Sequence, residues 1–161
     1  MFAVLRSIEI SGCVFNMSGS AVVIYATQMH SLLIRDSAIM GGHSAAIQLD
    51  DGANDVIISH VDIDGGAGGP GTEPAPNTRA VVVGGDNQRI RMDVLELSAS
   101  SVGVEVYGMT QPGKNIRISH SAFVNVIMGV AVLDNSTVTV SDTLFNMTSV
   151  ASINSKNECV E

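Results

Sequence analysis

The stretch Leu32-Leu33-Ile34-Arg35-Asp36-Ser37-Ala38-Ile39 has a near copy 24 residues later, Val56-Ile57-Ile58-Ser59-His60-Val61-Asp62-Ile63. Each copy opens on an aliphatic triplet, passes through a polar corner and returns to isoleucine. A repeat of this length is typical of solenoids, in which every unit packs only against its neighbours. These two stretches therefore predict stacked coils of chain.

Six segments fit the same template. Their triplets start at Ile8, Leu32, Val56, Ile90, Ile116 and Val138, in steps of 24, 24, 34, 26 and 22 residues. The outer positions of each triplet are aliphatic and the middle position varies, so one face is buried and the other is exposed. Seven residues after each start comes Phe15, Ile39, Ile63, Leu97, Phe123 or Phe145. Third strands are predicted at Val22-Val23-Ile24, Ile47-Gln48-Leu49, Val81-Val82-Val83, Val104-Glu105-Val106, Val130-Ala131-Val132 and Ala151-Ser152-Ile153.

This recurrence predicts an all-β fold, a single parallel β-helix of about six coils spanning residues 1–161. Equivalent strands would pair in parallel about 4.8 Å apart. A long Gly- and Pro-rich loop is expected at 65–79 in the third coil, and a tail at 154–161. The repeat resembles that of the right-handed β-helix proteins of the pectin-lyase-like superfamily, over essentially the whole chain. The alternative fold is a sandwich of short antiparallel strands.

Composition narrows the possible partners. The net charge of −8 repels phosphate backbones, so nucleic acid is not expected as a partner. No apolar run is long enough to span a membrane, and no secretory signal is recognised in this chain. The resemblance implies an extracellular or surface-associated protein. Because no capping helix is predicted at either end, we expect a homo-oligomer or a segment of a longer chain.

Stacking places residues from different coils side by side, so candidate sites are found by comparing equivalent positions. Arg91 and Arg117 are adjacent outward positions and could bind an anionic group of a substrate. Asp50 and Asp51 belong to an acidic cluster near the long loop, and Arg79 is the last residue of that loop. All five are candidate substrate-binding residues.

Asp62 and Glu96 occupy one outward column of neighbouring coils, and Asp93 lies nearby. Two carboxylates about one rung apart could act as an acid and base pair, or could bind Ca²⁺. These three residues are the candidate catalytic groups, with Arg91 as electrostatic stabiliser. His60 and His120 share a corner column, but Val94 separates them, so no metal site is assigned and no cofactor is expected apart from Ca²⁺.

The resemblance implies polysaccharide as the partner, but the motifs of its best-known hydrolases are missing. Polygalacturonase-type enzymes carry Asn-Thr-Asp before a third strand, whereas this chain reads Asn77-Thr78-Arg79. Neither the paired carboxylates nor the Gly-His-Gly motif follows on later coils. Three hypotheses remain: a polysaccharide-binding module without turnover, a lyase or hydrolase with a carboxylate and arginine site, and a structural segment of an oligomeric phage-tail or adhesin shaft.

Overall fold

A computed structural model of the chain describes residues 7–17, 19, 21–41, 44–66, 74–108, 115–133, 136–146 and 153–155. The fold is all-β and forms a parallel β-solenoid of about five turns. Two sheets run along it, and every pair of neighbouring strands within them is parallel. Within the described residues, a helix of the length and apolar character needed to cross a bilayer is not found.

The first sheet contains nine strands. They are β1 (Ile8–Ser11), β2 (Val14–Asn16), β4 (His30–Met40), β6 (Asn54–Asp64), β8 (Gln88–Ser98), β10 (Ile116–Ser119), β11 (Ala122–Val124), β13 (Val138–Ser141) and β14 (Leu144–Asn146). The second sheet contains six strands. They are β3 (Val22–Thr27), β5 (Ala45–Asp50), β7 (Ala75–Gly84), β9 (Ser100–Tyr107), β12 (Met128–Val132) and β15 (Ile153–Ser155).

The core consists of columns of aliphatic side chains, as the repeat predicted. One column has a member from each of the six repeated segments and packs inside the solenoid: Ile10, Ile34, Ile58, Met92, Ile118 and Val140. A second column runs through Ile39, Ile63 and Leu97 to Phe123, whose ring stacks on Phe145 with centroids 4.8 Å apart. Each rung buries its aliphatics on the rung below, which is the stabilising contact of a solenoid.

The corner after each triplet is a single residue in the left-handed backbone conformation. All six equivalent positions have φ between 49° and 64°, namely Gly12, Asp36, His60, Val94, His120 and Asp142. Glycine, Asp and His visit this region more readily than other residues, but a β-branched residue there is an outlier. Val94 is therefore strained, while the remaining five residues suit the turn.

Asn87 ties two coils together beneath the second sheet. Its fully buried amide donates to the carbonyl oxygens of Leu49 and Gly84, at 3.0 and 2.6 Å. Its carbonyl oxygen accepts a 2.7 Å hydrogen bond from the backbone nitrogen of Ala53. One side chain therefore satisfies three backbone groups at a corner where the ladder hydrogen bonds are interrupted.

The structure corrects several predicted boundaries. In the second, third and fourth coils the first two predicted strands are one bent strand of 11 residues. The second sheet pairs Ile24 with Ile47 and Val130 with Ile153, so the predicted alignment of the first and last third strands was shifted by two residues. A shift of two leaves every side chain on the same face, and for that reason the pattern could not reveal it.

Strands extend into the predicted ranges of the long loop and the tail. The expected loop spanned 65–79, but β7 already begins at Ala75, and its pairing with β9 is irregular between Ala75 and Arg79. The expected tail began at residue 154, but β15 extends to Ser155. Of these two predicted segments, residues 67–73 and 156–161 lie outside the described part of the chain.

Candidate functional site

The outward face of the second sheet carries a groove of about 650 Å³, which we call the tyrosine groove. Its lining includes Gln48, Arg79, Val82, Glu105, Tyr107 and Leu133. Gln48, Val82 and Glu105 are register partners on β5, β7 and β9, so the groove runs across the strands and along the solenoid axis. An elongated ligand could therefore contact one side chain per rung.

Gly84 lets the Tyr107 ring lie close to the backbone of the neighbouring coil at one end of the groove. It pairs with Tyr107 on the next coil, and a Cβ atom at this glycine would lie 2.6 Å from Oδ1 of Asp50. The Asp50 carboxylate and the Tyr107 ring therefore share the space that a side chain at residue 84 would fill. Tyr25 lies one rung from Gln48, its register partner on β5, and the residue is 58% exposed.

Hydrogen bonds and charges hold the polar side chains of the groove in place. The Arg79 guanidinium forms an ion pair with Glu105, and Nε2 of Gln48 donates to Asp50 at 2.7 Å. Desolvation, followed by the nearby Asp50 carboxylate, raises the pKa of Tyr107. The same two causes raise the pKa of Tyr25. Both hydroxyls therefore stay protonated at neutral pH and can donate hydrogen bonds.

A second groove, of about 450 Å³, lies on the outward face of the first sheet. We call it the arginine groove, and it is lined by Arg89, Ile90, Arg91, Asn115, Arg117 and Thr139. Arg91 and Arg117 are direct register partners on β8 and β10, as the sequence predicted. Arg89 is held by Asp55 through two contacts, one of them 2.8 Å long.

A third groove, of about 670 Å³, follows the left-handed corners, and we call it the corner groove. Asp62 and Glu96 line it as register partners on β6 and β8, so their predicted adjacency is confirmed. His60 and His120 line it as well, with Val94 between them. Both carboxylates are exposed to solvent.

Asp93 lies apart from the Asp62–Glu96 pair, in a different environment. It lies before the Val94 corner, where its carboxylate accepts hydrogen bonds from Ser119 at 2.8 Å and from His120 at 2.9 Å. These two bonds, with the positive charge of Arg91, outweigh burial and lower the pKa of Asp93. Asp93 is thus ionised and hydrogen-bonded to its neighbours. Its predicted catalytic role stays a prediction.

Three of the five predicted binding residues line grooves, and they are divided between two separate ones. Arg79 lines the tyrosine groove and Asp50 borders it, while the Asp51 carboxylate occupies the space beside Gly85. Arg91 and Arg117 line the arginine groove.

Sequence reasoning missed Tyr107, Gln48 and Glu105 as groove residues. The signal for Tyr107 was present, because the chain has only two tyrosines and both fall on outward positions of third strands. Gln48 and Glu105 carried a weaker signal, since polar residues are ordinary on an outward strand face.

No group of three or more His, Cys, Asp or Glu side chains in the described segments is arranged to hold a metal ion. Comparison of the chain with protein-family models, with curated proteins and with solved structures finds no match. The class that the fold itself defines is the parallel β-solenoid.

Proposed function

We propose that this protein is an extracellular or surface-associated module that binds polysaccharide along the side of its solenoid, without turnover, and that it belongs with the pectin-lyase-like β-helix proteins. The observation that carries the proposal is the position of Tyr107 on an open groove beside Gln48 and the Arg79–Glu105 pair. An aromatic ring with hydrogen-bonding groups around it suits a sugar, which has apolar C–H faces and hydroxyls on its edges.

The charges of the tyrosine groove favour a particular kind of sugar. Arg79 is neutralised by Glu105, and the carboxylates of Asp50 and Asp51 both act on Tyr107. The groove is therefore negative on balance, which disfavours acidic sugars and favours neutral or amino-bearing ones. Spacing along the groove follows the rungs, about 4.8 Å apart, so a chain of sugars would meet a new set of side chains on each coil.

The carboxylates in this groove support binding more than catalysis. Glu105 is engaged by Arg79, and Asp50 accepts from Gln48, so each already has a hydrogen-bonding partner. A general acid would need a free approach to the glycosidic oxygen. We therefore expect binding to leave the sugar chain intact.

The test is a calorimetric titration of the purified protein with neutral, amino-bearing and acidic oligosaccharides. We expect at least one neutral or amino-bearing ligand to bind, and Tyr107→Ala to weaken its binding at least tenfold. Leu144→Ala is the matched control, because Leu144 is exposed on the other sheet and lines the corner groove. Binding that is unchanged in Tyr107→Ala would exclude the tyrosine groove as the site.

A second candidate function is a lyase or hydrolase centred on Asp62 and Glu96. The observation that favours it is their register pairing across adjacent strands, about 4.8 Å apart, beside a groove large enough for sugar rings. The double variant Asp62→Asn with Glu96→Gln should then abolish release of reducing or unsaturated ends from a polysaccharide panel. If the wild-type protein releases no such ends from any of the polysaccharides, the enzyme hypothesis fails.

A further inference from the structure

The arginine groove concentrates positive charge on an acidic protein. Three of the six arginines of the chain line it, although the net charge is −8. Arg91 and Arg117 stand directly opposite each other on neighbouring parallel strands. Like charges in such a position repel, so the pair is unfavourable unless something negative lies between or beside them.

The ion pairs of the three arginines leave one charge uncompensated. Arg89 is paired with Asp55, and Nη2 of Arg91 reaches Asp93 at 3.3 Å. The Arg117 side chain makes no hydrogen bond or ion pair in the part of the chain that the structure describes, and it is exposed. Asp93 is in turn shared with Ser119 and His120, so it neutralises Arg91 only in part.

We propose that the arginine groove binds an oxyanion, a sulfate or carboxylate group on a saccharide, between Arg91 and Arg117. Guanidinium groups bind planar and tetrahedral oxyanions through paired N–H donors, and two of them side by side can hold one anion from two directions. Asn115 and Thr139, which also line the groove, offer uncharged polar groups for the hydroxyls next to that anion.

This site goes beyond the proposed function and rests on different residues. The tyrosine groove lies on the second sheet and carries an excess of carboxylates, so it selects against acidic sugars. The arginine groove lies on the first sheet and selects for them. Two grooves of opposite preference on two sheets would let one protein contact two kinds of sugar chain, or two parts of one mixed chain.

The experiment follows the Nε–Hε signals of the arginines by NMR during titration with sodium sulfate and, separately, sodium acetate, at constant ionic strength near 0.15 M. At that ionic strength distant acidic groups are screened over about 8 Å, so the local groove determines binding. We expect the Arg91 and Arg117 signals to shift with saturation, while the Arg35 signal, which belongs to an arginine paired with Glu9 and Asp36, stays in place. The anion that saturates at lower concentration identifies the preferred group.

Oligosaccharides carrying that group are then titrated calorimetrically against the wild type, Arg117→Gln and Arg35→Gln. The two variants lose the same charge from the same sheet. Arg117→Gln should weaken binding at least tenfold without lowering the thermal midpoint, since Arg117 has no partner to lose. Arg35→Gln should change binding less than twofold. Equal losses in both variants, or no saturable shift of the Arg91 and Arg117 signals, would overturn the proposal.

The outcome is separable from that of the tyrosine groove. Tyr107→Ala should leave anion binding at the arginine groove unchanged, and Arg117→Gln should leave neutral-sugar binding unchanged. If only one groove binds its ligand, the proposal for that groove is supported and the proposal for the other groove fails.

Discussion

A Cβ atom on Gly84 would lie 2.8 Å from Cζ of Tyr107. Contacts this short do not occur between real side chains, so the tyrosine ring occupies its position only because residue 84 is glycine. Gly84 has no left-handed backbone angle, so turn geometry is not the reason for glycine at this place. The close approach of Tyr107 and Asp50 accounts for it, and this links the shape of the groove to a single position.

Gly84→Ala should therefore disturb the groove more than the fold. The added methyl group must displace the Tyr107 ring or the Asp50 carboxylate, and we expect sugar binding to weaken at least tenfold. Calorimetric titration with the ligand found for the wild type measures this. Gly12→Asn is the control, because Gly12 lies at a left-handed corner with open space around it and Asn accepts that conformation. Full binding by Gly84→Ala would show that the ring position is unimportant.

Val94→Asn should stabilise the protein by about 1 kcal/mol, because a left-handed backbone costs an ordinary L-residue about 1–2 kcal/mol and Asn tolerates it better. The reciprocal change, His60→Val, places a β-branched residue at the equivalent corner and should destabilise by a similar amount. His60 suits this comparison because its side chain is exposed and makes no hydrogen bond or ion pair with other described residues. Urea unfolding gives both free energies, and equal stability of all three proteins would contradict the strain argument.

Asn87→Ala should lower the free energy of unfolding by about 2–4 kcal/mol, since it leaves three buried backbone groups without their partners. Amide hydrogen exchange adds a local readout. The Ala53 amide donates a hydrogen bond to Asn87 in the wild type, so it should exchange faster in Asn87→Ala. Asn16→Ala, at an exposed strand position, should change stability by less than about 0.5 kcal/mol. If Asn87→Ala loses no more stability than Asn16→Ala, Asn87 does not stabilise the contact between the two coils.

The stability of the protein should fall in acid partly because of Asp93. Hydrogen bonds from His120 and then Ser119 lower the pKa of this carboxyl below its ordinary 3.8 in the folded state. The folded state therefore releases the Asp93 proton more readily than the unfolded state does. The resulting stability is fully present above pH about 4 and is lost as the pH falls through the lower folded-state pKa.

Thermal midpoints measured by circular dichroism between pH 2.5 and 6 test this expectation. Asp93→Asn cannot ionise, so its deficit relative to the wild type should be largest near pH 6 and should shrink below pH about 4. Ser119→Ala removes one donor and should reduce the pH dependence only in part. A deficit of Asp93→Asn that is constant across this range would count against the assignment.

The repeat predicted the fold because its signal is carried by buried residues. The positions of Ile34, Ile58 and Met92 could be predicted from period two alone, and the structure places them in one interior column. The register of β3 could not be predicted in the same way, since Val22 and Ile24 are both aliphatic and two residues apart. Neither could the continuity of β4, β6 and β8 through their left-handed corners, because hydrogen bonding across a corner leaves no trace in composition.

The candidate sites could be predicted only in part. Adjacency of Arg91 with Arg117, and of Asp62 with Glu96, follows from the spacing of the coils and was predicted. The tyrosine groove depends on the absence of a side chain at Gly84, whose neighbours are distant in sequence. A glycine in a strand is a weak signal by itself, and its meaning appears only once Tyr107 is seen against it.

The coils before and after the predicted long loop show how insertions are absorbed. β6 and β8 stay in register over nine residue pairs, although 34 residues separate their equivalent positions and other steps in the chain are 22 to 26. Extra length between Gly66 and Pro74 thus leaves the register of β6 on β8 unaltered, and the irregular pairing with β9 lies between Ala75 and Arg79 of β7. Because β7, which carries Arg79 and Val82, follows directly, this part of the chain is a natural grafting point, where recognition segments of varied length could be exchanged while the supporting scaffold is kept.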